Sequence, residues 1–134
     1  MSIYMLDTNI ASYVIRGDHP LVAQRLQSVP RANVTVSVMT EAELQYGVAK
    51  RGGTVGLKTR VDKFLRLVRV LPWTSDVVSS YAELRVLREA AGVTLAPMDM
   101  LIAAHARAIG ATLVTCDVTF SLHPSGLILE DWSK

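Results

Sequence analysis

Short apolar runs alternate with amphipathic helical patterns along the whole chain. The first run, residues 3–6, stops at Asp7-Thr8-Asn9, after which Ile10, Tyr13 and Val14 recur at helical spacing. The same strand-to-helix change is repeated downstream, and the runs that we predict to be strands are residues 3–6, 34–38, 70–71, 112–115 and 127–129. Such alternation predicts an α/β domain with a central, mostly parallel β-sheet flanked by α-helices.

Helix boundaries are indicated by proline, glycine and capping residues. Pro20 and Pro97 suit the first turn of a helix, and Gly92 and Gly110 suit its end. Residues 40–43 (TEAE) match a capping box, which predicts a helix over about 40–50. A basic amphipathic helix is predicted over about 54–68, and a further helix is predicted from a Ser75 cap to about residue 91.

The length and the composition favour one soluble domain, spanning residues 1–134. Half of the 134 residues are hydrophobic, yet no apolar stretch approaches the roughly 18 residues of a membrane span. Polar residues interrupt the first apolar run, so we expect no secretory signal. Cys116 is the only cysteine, which excludes an internal disulfide and fits a reducing compartment. We therefore expect a cytoplasmic protein without membrane contact.

Four acidic residues occupy equivalent places in this pattern. Asp7 follows the first predicted strand, and Asp117 follows the strand predicted over 112–115. Glu43 lies in the first turn of the helix predicted after the second strand, and Asp99 lies in the first turn of the helix that starts at Pro97. Because ligands of open parallel sheets bind where strands end and the following helices begin, we expect all four carboxylates at one edge of the sheet.

The segment between Asp99 and Asp117 supports this expectation. A helix of about 12 residues travels roughly 18 Å. Gly110 then turns the chain, and a strand of about five residues returns roughly 16 Å, which brings Asp117 back to the level of Asp99.

Carboxylates gathered in this way repel one another unless a cation compensates them. Their hard oxygen donors favour Mg²⁺ or Mn²⁺. Each acid alone also has a structural explanation, as a helix cap, a first-turn acid or a turn residue. The convergence of all four favours a metal site.

Positive charge is concentrated between Lys50 and Arg69. Seven of the 14 Lys and Arg residues lie there beside a single acid, Asp62, although the net charge of the chain is only +2. This segment is either a solvated helix face or a phosphate-binding surface. Four of its residues are candidate RNA contacts: Lys58, Arg60, Lys63 and Arg66.

Four sequence blocks resemble the PIN-domain family in order and spacing, and they are most similar to its VapC-like toxins. The blocks are residues 6–9 (LDTN), 41–47 (EAELQYG), 97–106 (PMDMLIAAHA) and 113–117 (LVTCD). The resemblance covers essentially the whole chain, up to Trp132. The segment after Asp117, which leads into His123-Pro124-Ser125-Gly126, departs from the commonest pattern of the family.

The resemblance implies an endoribonuclease that uses Mg²⁺ or Mn²⁺ and acts as the toxin of a toxin–antitoxin pair. It also implies a target among the RNAs of the translation apparatus (tRNA or rRNA), a cognate antitoxin that blocks the site, and a homodimer. The family's main acids correspond to Asp7, Glu43 and Asp99, and Asp117 corresponds to a fourth acid that many members replace by Asn. Asn9 and Thr115 correspond to polar residues that support the acidic site.

Two other functions remain compatible with the sequence. A non-catalytic RNA-binding or protein-sequestering module would use the basic segment while the acids serve as caps. A Mg²⁺-dependent phosphatase would use Asp7 as its nucleophile, although Asn9 stands where that chemistry needs a second aspartate. We expect His105 to be a packing or surface residue and Cys116 to be a buried or inert thiol, because the predicted helix and strand turn both side chains away from the acids.

Overall fold

A single sheet of five parallel strands forms the centre of the molecule. The computed structural model describes residues 2–134, and the strands lie in the order β3-β2-β1-β4-β5. The strands are β1 (Tyr4–Leu6), β2 (Val34–Ser37), β3 (Arg69–Leu71), β4 (Thr112–Val114) and β5 (Ile128–Glu130). All four strand pairs are parallel. The α/β fold with a parallel sheet, predicted from the alternation of patterns, is confirmed.

Six α-helices connect and cover the strands within the described residues. They are α1 (Thr8–Arg16), α2 (Pro20–Ser28), α3 (Val38–Lys50), α4 (Val55–Leu67), α5 (Val78–Ala91) and α6 (Pro97–Ile109). Three short 3₁₀ turns complete the chain, at Arg31–Asn33, Ser75–Val77 and Val118–Leu122. Gly92 and Gly110 end α5 and α6 with φ values of 72° and 69°, which is the left-handed conformation that glycine adopts without strain.

The sheet separates two hydrophobic cores. Neighbouring residues of the central strand β1 face opposite layers, so that Met5 packs in one core and Leu6 in the other. Residues of α5 and α6 form the first core, together with Met5 and the fully buried Leu113. Helices α1 to α4 cover the other face. Because both faces are covered, β1 and β4 are buried throughout, apart from the half-exposed Tyr4.

The start of α3 differs from the sequence prediction. The helix begins at Val38, and its cap is Ser37, whose Oγ accepts a hydrogen bond from the Met39 N–H at 3.1 Å. The capping box predicted at residues 40–43 is therefore wrong, because Ser37 already satisfies the helix start. Thr40 is buried inside the helix, and Glu43 lies in its second turn instead of its first.

Smaller differences affect other boundaries. A 3₁₀ turn at Ser75–Val77 precedes α5, and Ser75 makes no capping hydrogen bond there. Strand β4 ends at Val114, one residue before the predicted end. None of these differences changes the order of the elements.

Arg88 of α5 fastens the segment that follows β4. Its side chain is fully buried and donates hydrogen bonds to backbone carbonyls only, among them Val93 O at 2.8 Å, Thr119 O at 2.8 Å and Phe120 O at 3.3 Å. The His123 carbonyl is a further acceptor. The buried guanidinium thus uses its donors to hold the 3₁₀ turn at Val118–Leu122 against α5.

Among the helices of residues 2–134, we find none whose length and apolar character would allow it to cross a membrane.

Candidate active site

Asp7 is fixed at the junction of β1 and α1. Its backbone N–H donates to Val114 O at 3.0 Å, which continues the β1–β4 pairing beyond the end of the strand. Its carboxylate caps α1 by accepting the Ile10 N–H at 2.9 Å. Only 4% of the residue is exposed. The position of this carboxylate is therefore set by the two central strands of the sheet.

Burial raises the pKa of Asp7 to about 6. The negative charges of Asp99 and Asp117 raise it further, whereas hydrogen bonds from Thr115 and from the Ile10 N–H lower it. The ionised form of this carboxylate is thus disfavoured, because burial removes its hydration and no side chain among residues 2–134 forms an ion pair with it.

Thr115 connects Asp7 to Asp117. Its Oγ1 accepts the Asp117 N–H at 3.0 Å, and its side chain lowers the pKa of the Asp7 carboxylate. Asp117 itself accepts the Thr119 N–H at 2.9 Å and caps the 3₁₀ turn that follows. Thr115 therefore lies beside both Asp7 and Asp117, and its supporting role at the acidic site stays a prediction.

Glu43 reaches the same edge from α3. The Thr8 hydroxyl, at the first residue of α1, donates a hydrogen bond to its carboxylate. Thr8 also lies within 3.3 Å of the Thr40 hydroxyl. The Thr8 and Thr40 hydroxyls join α1 to α3. The Glu43 carboxylate is held beside Thr8, the residue that follows Asp7.

Asp99 is the third residue of α6 and is half-buried. Burial raises its pKa, and the charges of Glu43 and Asp117 raise it further. Since Asp7 also responds to Asp99 and Asp117, the four carboxylates form one electrostatic group, which we call the acidic edge. This electrostatic coupling agrees with the prediction that the four carboxylates converge at one edge of the sheet.

No positive side chain neutralises the acidic edge within residues 2–134. The five ion pairs of these residues involve other acids, namely Asp18, Asp62, Glu83, Glu89 and Glu130. In the same part of the chain, no three Asp, Glu, His or Cys side chains are close enough to hold a metal ion as they stand. Hydrogen bonds to local donors occupy Asp7, Glu43 and Asp117 instead.

A divalent cation nevertheless fits the donor set. All four groups are carboxylates, which are the hard oxygen ligands that Mg²⁺ and Mn²⁺ prefer. The raised pKa values of Asp7 and Asp99 show that negative charge here lacks compensation. A bound cation would supply that compensation.

The remaining predicted residues have mixed outcomes. Asn9 is exposed on α1 and makes no side-chain hydrogen bond within the described residues, so the structure provides no support for its predicted role. Among the basic residues, Lys58 forms an ion pair with Asp62 at 3.0 Å. Arg60, Lys63 and Arg66 are exposed on α4 and form no ion pair among residues 2–134.

The packing roles expected for His105 and Cys116 agree with the structure. His105 is buried, and its Nδ1 lies 2.9 Å from the Oγ of Ser37, the cap of α3. Burial lowers the pKa of His105 and raises that of the half-buried Cys116 thiol. The neutral imidazole and the protonated thiol are therefore both favoured.

Sequence reasoning missed Thr8 as a site residue. The sequence pattern indicates only a turn at this position, yet the Thr8 hydroxyl is the group that holds Glu43. The signal in the sequence was its position between Asp7 and Asn9. A threonine next to an acid at the end of a strand can cap the helix that begins there, and its hydroxyl can also contact a neighbouring helix.

The chain is similar to known proteins along nearly its full length. The model of the PIN domain matches residues 4–124. Ribonuclease VapC2 of Rickettsia felis is 36% identical over 133 residues, covering 98% of this chain and 99% of the relative. The tRNA(fMet)-specific endonuclease VapC of Shigella flexneri is 28% identical over 130 residues, covering 97% and 98%.

A solved structure gives the same result. The crystal structure of VapBC2 from Rickettsia felis bound to a DNA fragment from their promoter contains a chain that is 37% identical to this one. It superimposes with a TM-score of 0.89 over 97% of this chain and 98% of that chain. The chain therefore belongs to the PIN-domain family, among its VapC-like members.

Proposed function

We propose that this protein is a metal-dependent endoribonuclease and the toxin of a toxin–antitoxin pair. The observation that carries the proposal is the acidic edge, where four coupled carboxylates lack a neutralising side chain. We assign metal binding and catalysis to Asp7, Glu43, Asp99 and Asp117, with Mg²⁺ or Mn²⁺ as the cation. The name of the Shigella relative makes tRNA the first substrate to test.

The chemistry follows from the ligands and their supports. A divalent cation lowers the pKa of a bound water and polarises a phosphodiester. Thr115 and the Ile10 N–H orient Asp7, while Thr8 orients Glu43. Such supporting hydrogen bonds keep ligands in place when charge changes at the site. Attack by water leaves a 5′-phosphate and a 3′-hydroxyl.

Attack by the RNA 2′-hydroxyl would need a general base such as histidine. His105 is buried against Ser37 at the start of α3, and His123 is held by Ser125. The third imidazole, that of His19, packs against the Tyr13 ring. Since none of the three has a recorded contact with the acidic edge, we favour hydrolysis by water.

The proposal is tested by incubating purified protein with tRNA in Mg²⁺, in Mn²⁺ and in excess chelator. We expect cleavage only with the cations, and fragments whose new 5′ ends carry a phosphate. Ligation of an adaptor that requires a 5′-phosphate measures this directly. Cleavage that persists in chelator, or fragments with a 5′-hydroxyl, would contradict the mechanism.

We also propose a cognate antitoxin and a homodimer as the resting form. The acidic edge suits a guanidinium or ammonium group of the antitoxin, because a charge-assisted pair with a carboxylate is strong and directional. A positively charged side chain of the antitoxin would compete with the metal ion for the same carboxylate oxygens. Antitoxin lacking every basic residue near the site should then bind without displacing the metal.

Exposed basic residues of α4 provide a surface for RNA phosphates. We expect the double variant Arg60→Glu/Lys63→Glu to weaken RNA binding and to reduce the slope of log affinity against log salt by about 0.7 for each phosphate that the protein no longer neutralises. Fluorescence anisotropy with labelled tRNA over a salt series measures both quantities. The matched control is Arg31→Glu/Arg85→Glu, which makes the same charge change at exposed residues outside α4 and away from the acidic edge. If both variants bind as the wild type does, α4 is only a solvated face.

A further inference from the structure

A cleft of about 170 Å³ opens beside Glu43, between α1, α3 and α4. It adjoins the acidic edge through Glu43 and also contains Thr8, the hydrogen-bond partner of Glu43. Its polar and charged lining also includes Ser12, Arg16 and Arg51. The hydrogen bonds described for the acidic edge do not account for this cleft in the protein surface.

The lining has three chemical parts. Leu44, Val48 and Val61 are buried and provide an apolar wall. The hydroxyls of Thr8 and Ser12 can donate or accept hydrogen bonds. An unstacked nucleobase has the matching character, with apolar faces and a polar edge, and protein sites for single-stranded RNA bind such bases.

Two guanidinium groups form the third part and give the cleft a positive side. Arg51 is exposed and forms no ion pair within residues 2–134. Arg16 pairs only with the exposed Asp18, at 3.3 Å, which is a weak and easily exchanged contact. A phosphodiester following the base would meet these charges, so the cleft complements a nucleotide in charge as well as in shape.

Gly47 is one of the residues that line this cleft. It lies within α3, four residues after Glu43 and therefore on the same face of the helix. Glycine weakens a helix interior relative to alanine, yet a Cβ atom at Gly47 would meet no atom within 4 Å. Packing inside the protein therefore does not require glycine here, and its side of the helix faces the cleft.

We propose that this cleft binds one base of the substrate RNA, next to the phosphodiester at the acidic edge, and that Gly47 provides the space for it. The proposal rests on the proposed function, and it assigns base selection to α1 and α3. Alanine at residue 47 would favour the helix and narrow the site, so stability and RNA binding should respond to it in opposite directions.

The experiment compares Gly47→Ala and Gly47→Leu with the wild type on a labelled pool of random single-stranded RNA. Affinity is measured by anisotropy in excess chelator, where we expect no cleavage, and cut sites are read by sequencing after incubation in Mn²⁺. We expect Gly47→Leu to weaken binding by roughly 5- to 100-fold, the range for loss of one base-stacking site, and to lose the base preference beside the cut. Gly47→Ala should melt about 2–4 °C higher than wild type while binding RNA more weakly.

Ala90→Leu is the matched control, since Ala90 is an exposed residue of helix α5 that neither lines the cleft nor belongs to the basic helix α4. It should bind RNA as the wild type does. RNA carrying 4-thiouridine gives a second measurement on wild-type protein, because crosslinks should map to peptides containing Ser12 or Gly47.

The possible outcomes separate this inference from the proposed function. Unchanged affinity and preference in Gly47→Leu, or crosslinks only outside the cleft, would overturn the inference while cleavage by the wild type still supports a ribonuclease. The cleft would then be assigned to a protein partner. A wild type that neither binds nor cuts RNA would overturn both.

Discussion

Asp99→Asn is expected to lower the rate of metal-dependent RNA cleavage by more than about 100-fold while leaving the fold intact. Loss of a hydrogen-bond partner behind a metal ligand already costs roughly 10- to 100-fold, and this substitution removes the charge of a ligand itself. Asn fits the first turn of α6 without steric change, and the half-buried side chain has no hydrogen bond to lose within the described residues. Single-turnover cleavage of tRNA in Mn²⁺ measures the effect, and circular dichroism verifies the fold.

Asp76→Asn provides the comparison for this result. Asp76 is an exposed acid in the 3₁₀ turn before α5 and does not contribute to the acidic edge. It should retain wild-type activity and the wild-type dependence on Mn²⁺. If Asp99→Asn were as active as Asp76→Asn, Asp99 would be a structural helix-start residue, and the site assignment would fail.

Asp7→Asn is expected to make the metal-free protein more stable than the wild type. A pKa of about 6 in the folded protein, against about 3.9 in an unfolded chain, corresponds to about 3 kcal/mol of lost stability when the carboxylate is ionised at neutral pH. Asn keeps the α1 cap, because its carbonyl oxygen can still accept the Ile10 N–H. Because burying the Asn amide offsets part of this effect, we expect the free energy of unfolding to rise by about 1–3 kcal/mol, and the melting temperature to rise by roughly 3–10 °C.

The sign of the pH dependence follows from the same pKa. Below about pH 4 the carboxyl is protonated in both states and carries no penalty, whereas above about pH 6 the full penalty is present. Wild-type protein in chelator should therefore gain stability as the pH falls from 7 towards 4. Asp7→Asn should show a weaker gain, because the group that titrates in this range is absent. Chemical unfolding at several pH values measures the difference.

Saturating Mn²⁺ should reverse the order of stability. A ligand that binds only the folded state at 100 times its dissociation constant stabilises it by about 2.7 kcal/mol, and the variant should gain much less than the wild type. A variant that melts below the wild type in chelator, with equal gains from Mn²⁺ in both proteins, would show that Asp7 acts only as the cap of α1.

The order of the secondary structure elements was predictable because local signals agreed with the tertiary fold. Prolines at helix starts and glycines at helix ends marked α2, α5 and α6 within a residue or two, except where a 3₁₀ turn precedes α5. The start of α3 was not predictable in this way. Both Ser37 and Thr40 are good caps, and the choice between them depends on the burial of Thr40 under α1, which is a tertiary contact.

The acidic edge was predictable in outline for a topological reason. Parallel strands place their carboxyl ends at one edge, so residues following β1 and β4 had to be neighbours. What supports each carboxylate was harder to predict. The contact between Thr8 and Glu43 joins residues 35 positions apart, and no local pattern reports it. Thr115 was predicted from the family resemblance alone, and its supporting role stays a prediction.

The hydrogen bonds from Arg88 to the segment that follows Asp117 affect how the site responds to changes of charge. Arg88 remains protonated across the whole physiological range, and its acceptors are backbone carbonyls, which do not ionise. Protons or cations taken up at the acidic edge therefore leave the Arg88 hydrogen bonds unchanged. The Asp117 carboxylate, which caps the same turn by accepting the Thr119 N–H, is the contact that responds to them. The turn thus has one attachment that is sensitive to charge at the site and one that is not.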